Sequence, residues 1–304
     1  MKIWIISLFF LHKNYVASER AKRIYRYLAK NNDLTIFSTN CGLRGNIKEE
    51  FFNIRSTDVI FPNYLFRDSD KNKNHNLNIS NFIPKLISRI LRDSGWTWYL
   101  QLEKSIKKEI KSKGKPDLII VSGSPFLPFY LCRVINKKYK IPYLLDYRDS
   151  WTKNPEWHNK NFLYRVIPSI IETKVNKNAN GIFTVSKGTC KAILTTKPIF
   201  VMYNLPDKKY INNLKEISLI TKSNNSNILS LSLTGSIYSF QKLDSLCQAI
   251  SNLDDSLKSN IIIEYCGSNW RYIDQIFSEY NIENNLINHK FLNKKKAIEI
   301  VARC

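Results

Sequence analysis

Two carboxylates and a guanidinium group follow an apolar run in the segment YLLDYRDSWTKNP, residues 143–155. These groups are Asp146, Arg148 and Asp149, and side chains of this kind can bind or activate a polar ligand. A second run, LIIVSGSPF at 118–126, ends in small residues that allow backbone N–H groups to approach a ligand. If both runs are parallel strands, these residues lie beyond the carboxyl ends of the strands, where α/β sheets bind ligands.

Each of these segments also has a simpler structural interpretation. Arg148 and Asp149 can pair with each other or cap the next helix, and Ser-Gly-Ser-Pro can be an ordinary turn. Asp146 can point into the sheet as a structural partner. The residues alone leave these alternatives open.

The elements that must position these residues alternate between apolar runs and amphipathic patterns. Such alternation predicts a parallel sheet covered by helices on both faces, with right-handed connections. The first part of the chain has strand patterns at 3–7, 34–38, 118–122, 143–146, 181–185 and 199–203. Its helix patterns are at 18–30, 99–112, 127–138 and 162–177.

A polar stretch rich in Ser and Asn, residues 217–227, interrupts this pattern. We therefore predict a first domain at 1–208, a linker at 209–225 and a second domain at 226–304. The second domain has strand patterns at 229–234, 261–267 and 286–291, and helix patterns at 243–253, 273–280 and from 294. The last helix pattern continues to the final residue without a cap signal, so we expect this domain to be truncated.

The composition limits the classes of protein that fit this chain. Hydrophobic residues make up 43% of the 304 residues, which excludes a disordered chain. The net charge of +22 favours an anionic partner, although biased genome base composition also enriches Lys. Helix-turn-helix, RNP and KH patterns are lacking, so nucleic acid is the least favoured partner. The six cysteines are scattered without metal spacing, which favours reduced thiols in the cytoplasm over a zinc site or disulfides.

Two apolar segments raise the question of membrane contact. The N-terminal run KIWIISLFFL resembles a signal peptide but is better explained as a first buried strand. FIPKLISRILR at 82–92 is an amphipathic basic helix, followed by Trp96, Trp98, Tyr99 and a lysine-rich stretch. This helix either packs on its own core or contacts anionic lipid, and the sequence favours neither.

Taken in order, these segments resemble the bacterial branch of family 4 glycosyltransferases. The similarity is carried by DSGW at 93–96, the Ser-Gly-Ser-Pro loop, DYRDSWTKNP, and IETKVNKNANGIFTVSKGTCKAIL at 171–194. LSLTGSIYSF and IIEYCGSNWRYIDQIF resemble its nucleotide-sugar domain. The chain departs from that family in a first loop without glycine and in the absence of its Glu-x7-Glu segment.

The resemblance implies a GT-B fold, in which two Rossmann-like α/β domains with parallel sheets bind the acceptor and a nucleotide sugar. The reaction is transfer of a hexosyl group to a hydroxyl with retention, without a metal or other cofactor. Asp149 and Arg148 would be catalytic: Asp149 would orient the acceptor hydroxyl or stabilise an oxocarbenium-like transition state, and Arg148 would hold an acceptor phosphate.

The resemblance also implies the binding residues of both substrates. The acceptor would be bound by Ser124, Pro125, Trp151 and Asn154. The donor would be bound by Gly235, Ser236, Lys242 and Gly267, with Lys242 on a phosphate.

The implied setting is bacterial polysaccharide biosynthesis, with a lipid-linked or saccharide acceptor. The enzyme would be cytoplasmic, with peripheral association at the inner face of the cell membrane. Two alternatives remain. The chain can be an inactive truncated fragment that binds only acceptor or membrane, or a GT-B nucleotide-sugar epimerase.

Overall fold

A computed structural model of the chain describes residues 1–12, 16–40, 51, 53–59, 82–154, 163–204, 211–212, 228–237 and 241–304. The chain divides into two compact units, Met1–Asn204 and Leu205–Cys304. The predicted linker at 209–225 falls almost entirely outside the described residues, so its bounds stay a prediction.

Unit 1 contains a seven-stranded parallel sheet with the order β3-β2-β1-β4-β5-β6-β7. This is the doubly wound order, whose direction reverses between β1 and β4. Its strands are β1 Lys2–Ile6, β2 Asp33–Thr39, β3 Ile54–Thr57, β4 Leu118–Gly123, β5 Tyr143–Tyr147, β6 Gly181–Thr184 and β7 Ile199–Val201.

Helices cover both faces of this sheet. They are α1 Val16–Leu28, α2 Phe82–Leu91, α3 Trp96–Lys113, α4 Leu127–Tyr139, α5 Leu163–Asn178 and α6 Lys187–Ala192. Successive residues of β1 enter different cores: Trp4 and Ile6 join one cluster, while Ile3 and Ile5 join the other. The N-terminal run is therefore confirmed as the central buried strand, and the predicted parallel sheet is confirmed with it.

Unit 2 contains a three-stranded parallel sheet with the order β10-β9-β8. Its core lies where Ile263 and Tyr265 of the central strand meet Ile250, Ile273 and Phe277 of the helices. The strands are β8 Leu229–Thr234, β9 Ile261–Cys266 and β10 Leu286–Asn288. The helices are α7 Asp244–Ser251, α8 Asp255–Lys258, α9 Trp270–Glu279 and α10 Lys294–Arg303, and a 3-10 turn spans Glu283–Asn285.

Among the strands of unit 1, the sequence analysis did not predict the edge strand β3, whose sequence is IRST. Only partly buried and short of apolar residues, it lacks the continuous apolar run that marks a strand covered on both faces. The short helices α6 and α8 were missed for the same reason, because neither contains a buried residue that would create a periodic pattern.

A buried ion pair joins α1 to the centre of the sheet. Arg20 donates to Asp146 through Nε at 2.9 Å and Nη2 at 2.7 Å, and both side chains are almost fully buried. Ser122 of β4 donates to the same carboxylate at 3.0 Å. Arg20 Nη1 also donates to the Met202 carbonyl at 2.7 Å and to Asn204 Oδ1 at 3.0 Å. This network fixes β4, β5, α1 and the end of unit 1 relative to one another.

We expect Arg20→Met to lower the free energy of unfolding by about 3–5 kcal/mol, because it leaves the Asp146 carboxylate buried without its counter-charge. Lys30→Met removes an exposed charge just after the same helix and should change stability by about 0.5 kcal/mol or less. Urea unfolding monitored by tryptophan fluorescence measures both variants. A loss below about 1 kcal/mol for Arg20→Met would show that the pair is not a major support of the fold.

Candidate functional site

The candidate site of unit 1 begins where β4 ends, beside the point at which the strand order reverses. A Cβ at Gly123 would lie 2.6 Å from the Phe126 ring and 2.8 Å from the Phe129 ring. Only glycine fits there, so the turn can follow the strand directly and carry Ser124 and Pro125 over these rings. Ser124 is half-buried and Pro125 is buried.

The DSGW segment, residues 93–96, holds this turn through hydrogen bonds. The Asp93 carboxylate accepts hydrogen bonds from the N–H groups of Phe126 at 2.9 Å and Leu127 at 2.6 Å, at the start of α4. A carboxylate here satisfies helix N–H groups that lack partners within the helix. Burial raises the pKa of Asp93 to about 6, although these backbone hydrogen bonds act in the opposite direction. Gly95 is close-packed as Gly123 is, because a Cβ at Gly95 would lie 2.9 Å from Pro125 Cβ.

The Arg148 side chain is hydrogen-bonded to the same turn. Its Nε donates to the Gly123 carbonyl at 2.6 Å, and its Nη2 donates to the Ser124 carbonyl. Bidentate binding of a phosphate uses this Nε/Nη2 edge of the guanidinium group. Because the turn already occupies that edge, the geometry supports Arg148 as a positioning residue. The pairing of Arg148 with Asp149, one of the simpler interpretations, is not needed to explain its orientation.

Contacts of Trp151 and Thr152 fix the position of the segment that follows β5. The Trp151 ring stacks on Phe126 with centroids 5.4 Å apart, and its Nε1 donates to the Leu91 carbonyl at 3.3 Å. Arg92 Nη1 donates to the Thr152 carbonyl at 2.8 Å. Trp151 is only 1% exposed, so the structure places it in the core instead of at an acceptor surface. The orientation of this segment is therefore set by residues about 60 positions earlier in the chain.

A buried carboxylate lies beneath the same segment. Thr152 Oγ1 donates to Glu172 Oε2, and burial raises the pKa of Glu172. Among the described residues, Glu172 forms no ion pair, so the Thr152 hydroxyl and not a cation meets this carboxyl group.

These contacts join three segments into one platform, made of residues 91–95, 122–126 and 146–152. Asp146 faces inward to Arg20, which confirms the structural interpretation of that residue. Asp149 is exposed on the outer side of the platform, and Asn154 is half-buried nearby in the chain. The structure thus brings Asp149, Ser124 and Pro125 to one end of the sheet and removes Trp151 from the surface.

Unit 2 has its own close-packed turns at the carboxyl ends of β8 and β9. Gly235 has φ +97°, and a Cβ on Gly267 would lie 1.9 Å from the Gly235 carbonyl oxygen. Tyr265 OH donates to that same carbonyl at 3.0 Å. The hydroxyls of Ser236 and Ser268 are 2.6 Å apart. The glycines predicted to approach a donor are therefore in direct backbone contact with each other.

Lys242 is exposed and lies just before α7, outside this pair of turns. Its predicted contact with a phosphate stays a prediction. Within the described parts of both units, no group of three or more His, Cys, Asp or Glu residues is arranged to hold a metal ion.

Several supporting residues were missed or only partly recognised from the sequence: Arg20, Arg92, Asp93 and Tyr265. DSGW was noticed as a motif, but nothing in it indicated that the carboxylate caps a helix 33 positions away. Arg20 and Arg92 looked like any of the 47 basic residues of the chain. A buried position on an amphipathic helix is the one signal that could have marked Arg20.

The raised pKa of Asp93 predicts a specific dependence of stability on pH. The unfolded chain loses the Asp93 proton near pH 3.8, whereas the folded chain keeps it to about pH 6. Asp93 therefore stabilises the fold fully at low pH, and this contribution is lost as pH rises from 4 through 6. The stability of the native protein relative to Asp93→Asn should fall by about 1–3 kcal/mol across this window.

Urea unfolding of both proteins at pH 4.5, 5.5 and 7 measures this difference, because other titrating groups cancel between them. If the stability of the native protein relative to Asp93→Asn instead rises with pH, the backbone N–H donors outweigh burial and hold the pKa of Asp93 below its usual range.

Comparison with known proteins identifies the fold. No protein-family model and no curated protein matches the sequence at a significant level. Among solved structures, the chain is similar to the lipopolysaccharide outer core galactosyltransferase WaaB, with 11% identity, a TM-score of 0.53, and coverage of 98% of this chain and 70% of that one.

Two further glycosyltransferase structures are similar over nearly the whole chain. WaaG, a glycosyltransferase involved in lipopolysaccharide biosynthesis, has 12% identity, a TM-score of 0.53, and coverage of 98% and 72% of the two chains. The catalytic domain of starch synthase IV from Arabidopsis thaliana, bound to ADP and acarbose, has 9% identity, a TM-score of 0.56, and coverage of 99% and 76%. At these identities the similarity establishes the fold alone: the chain has the two-domain, Rossmann-like GT-B fold of these glycosyltransferases.

Proposed function

We propose that the chain is a glycosyltransferase that moves a hexosyl group from a nucleotide sugar to a hydroxyl of a saccharide or lipid-linked acceptor. The acceptor would bind to unit 1 and the donor to unit 2. The similarity to WaaB and WaaG supports a role in bacterial surface polysaccharide biosynthesis, and the ADP bound to starch synthase IV supports a donor with a nucleoside diphosphate. Retention at the anomeric carbon and membership of family 4 belong to the same proposal.

One observation carries the acceptor half of this proposal. In the platform of unit 1, Arg92, Asp93 and Arg148 bind backbone groups, and Asp146 pairs with Arg20. The Asp149 carboxylate is instead exposed after β5, the strand next to β4, where the strand order reverses. Rigid support of an exposed carboxylate at this place is what orientation of a substrate hydroxyl requires.

The roles we propose follow from that geometry. Asp149 orients the acceptor hydroxyl or stabilises positive charge on the sugar, and Arg148 positions the turn on which Ser124 and Pro125 contact the acceptor. Asn154 extends the acceptor surface, and Trp151 acts through its stack on Phe126. The reaction needs to stabilise a departing nucleoside diphosphate, which we assign to donors in unit 2 and not to a bound metal or other cofactor.

On the donor side, the contact between Gly235 and Gly267 supports nucleotide binding. Two successive strands end in turns without side chains at the point of contact, so a ligand can approach the backbone closely there. Ser236 provides a hydroxyl beside the turn, and Lys242 is the proposed phosphate contact.

An epimerase acting on a nucleotide sugar is the alternative enzyme, and an acceptor-binding protein without transferase activity is the non-enzymatic one. Transfer needs both a donor and an acceptor, whereas epimerisation needs the donor alone. The two enzymes are distinguished by supplying UDP-, ADP- and GDP-sugars with and without an extract of bacterial lipid-linked saccharides. Acceptor-dependent release of nucleoside diphosphate supports the transferase, and conversion of the sugar without acceptor supports the epimerase.

Asp149→Asn should lower acceptor-dependent transfer by about 100-fold, since it removes the charge that orients the hydroxyl or stabilises the transition state. The exposed position of Asp149 means that stability should not change. Lys153→Gln, an exposed substitution four positions away, is the matched control and should keep full activity. Equal rates in Asp149→Asn and native protein would remove Asp149 from the mechanism.

We further propose that unit 1 associates peripherally with an anionic membrane surface at the cytoplasmic face, where lipid-linked acceptors are presented. The helices α2, α3, α4 and α5 pack side by side over the sheet. Their outer surface exposes the apolar side chains Leu86, Leu100, Ile167 and Ile170. No helix among the described residues is long and apolar enough to cross a membrane.

A basic stripe on α3 adds charge to this apolar surface. It consists of Lys104, Lys107, Lys108 and Lys111, which share one helix face with exposed Leu100. Trp98, in contrast, is fully buried, and the half-buried Trp96 donates to Ser88 Oγ. Apolar side chains next to a row of lysines match the acyl boundary and headgroups of an anionic bilayer.

Replacing the four stripe lysines by glutamine should weaken binding to anionic liposomes by up to about 1000-fold, because about 1 kcal/mol for each lysine near the surface amounts to about 4 kcal/mol. The control replaces Lys295 and Lys296, which are exposed on α10 of unit 2, and should leave sedimentation unchanged. Liposomes containing phosphatidylglycerol and neutral liposomes are compared for each protein. Binding that is equal on both liposomes, or unchanged in the stripe variant, would contradict the membrane proposal.

A further inference from the structure

Two positively charged side chains lie beside the indole ring of Trp270. The Arg271 guanidinium carbon and Lys290 Nζ are each 5.0 Å from the ring centroid, a distance typical of cation–π contacts. Trp270 and Arg271 begin α9, and Lys290 lies in the loop that follows β10. The carboxyl ends of two neighbouring parallel strands therefore bring these side chains together.

The charges of this pair are not compensated by acidic side chains. Arg271 and Lys290 are exposed, and neither forms an ion pair with any residue that the structure describes. Elsewhere in the chain, exposed lysines do find partners, as Lys107 does with Glu103. The carboxylate of Asp274, also on α9, instead accepts from Asn288 Nδ2 at 2.6 Å. Two cations held at one ring repel each other, and an anion placed between them relieves that repulsion.

The backbone of Lys290 is fixed to the glycine turn of the donor side. Its carbonyl accepts from the Gly267 N–H at 2.9 Å, and its own N–H donates to Asn288 Oδ1 at 3.0 Å. The loop that carries this cation is thus hydrogen-bonded directly to the turn that packs against Gly235. A phosphate near Gly267 would lie within reach of a lysine side chain that starts from this position.

We propose that Arg271 and Lys290 form a phosphate-binding subsite of unit 2, with Trp270 as the residue that positions both cations. The ligand is a nucleoside diphosphate, the leaving group of the donor, so this inference rests on the proposed function. The subsite stabilises the charge that develops on the diphosphate as the sugar departs.

Isothermal titration of the 304-residue chain with UDP, ADP and GDP tests this subsite, and inorganic pyrophosphate serves as a separate probe. Arg271→Gln and Lys290→Gln should each weaken binding of the preferred nucleotide by about tenfold, the effect of one charge-assisted hydrogen bond. Trp270→Leu keeps both charges and should weaken binding by about threefold to fivefold through loss of their positioning. Lys295→Gln removes an exposed charge from α10 of the same unit and should bind like the native protein.

The outcomes separate this inference from the proposed function. If the native chain binds none of the three nucleotides, the donor half of the proposed function fails. If the native chain binds a nucleotide and the Arg271 and Lys290 variants bind it equally well, the subsite is overturned. If these variants lose pyrophosphate binding alone and keep nucleotide binding, the cations hold free phosphate and the assignment to the donor is wrong.

Discussion

The buried pair of Arg20 and Asp146 is the constraint on which unit 1 depends. A carboxylate at the centre of a sheet is unfavourable unless its charge is paired and its oxygens accept hydrogen bonds. Here the partners come from α1 and from Ser122 of β4, and Arg20 continues to the carbonyl of Met202. Because the compensation is shared between elements, the ends of β4 and β5 cannot shift independently. The two loops of the platform therefore start from fixed points.

In the loops beyond these strand ends, charged side chains are likewise bound to other groups of the protein. Asp93, Arg148 and Arg92 each bind backbone groups of a loop, so that charge is used to hold main chain in place. The donor and acceptor atoms that are used in this way are no longer available to a ligand. Within DYRDSW, the side chains of Asp146 and Arg148 thus bind other groups of the protein, whereas Asp149 faces solvent. A motif that looks like a cluster of catalytic charges thus contains two charged side chains that bind protein groups and one that is exposed.

This division explains which features the sequence could predict. Central strands such as β1 and β4 are covered on both faces, so each appears as a continuous apolar run, and the order of strands and helices follows from these runs. The roles of Arg148 and Trp151 could not be predicted in this way. Their orientations depend on the carbonyls of Gly123 and Leu91, which are distant in sequence and carry no signal in their side chains. Resemblance to a family located the loops but not the direction of each side chain.

The net charge of +22 likewise cannot be assigned to one function, because the basic side chains lie in different environments. Arg20 is buried against the Asp146 carboxylate, so this pair adds little to an external field, and Arg92 is buried with its side chain bound to the Thr152 carbonyl. The lysines on α3 are exposed in a row, where screening by salt makes each weak and only their number matters. Arg271 and Lys290 differ from both classes, because both are exposed beside one aromatic ring and neither forms an ion pair with a described residue. Fixed position, more than the total charge, is what allows a basic protein to select one phosphate group from many anions.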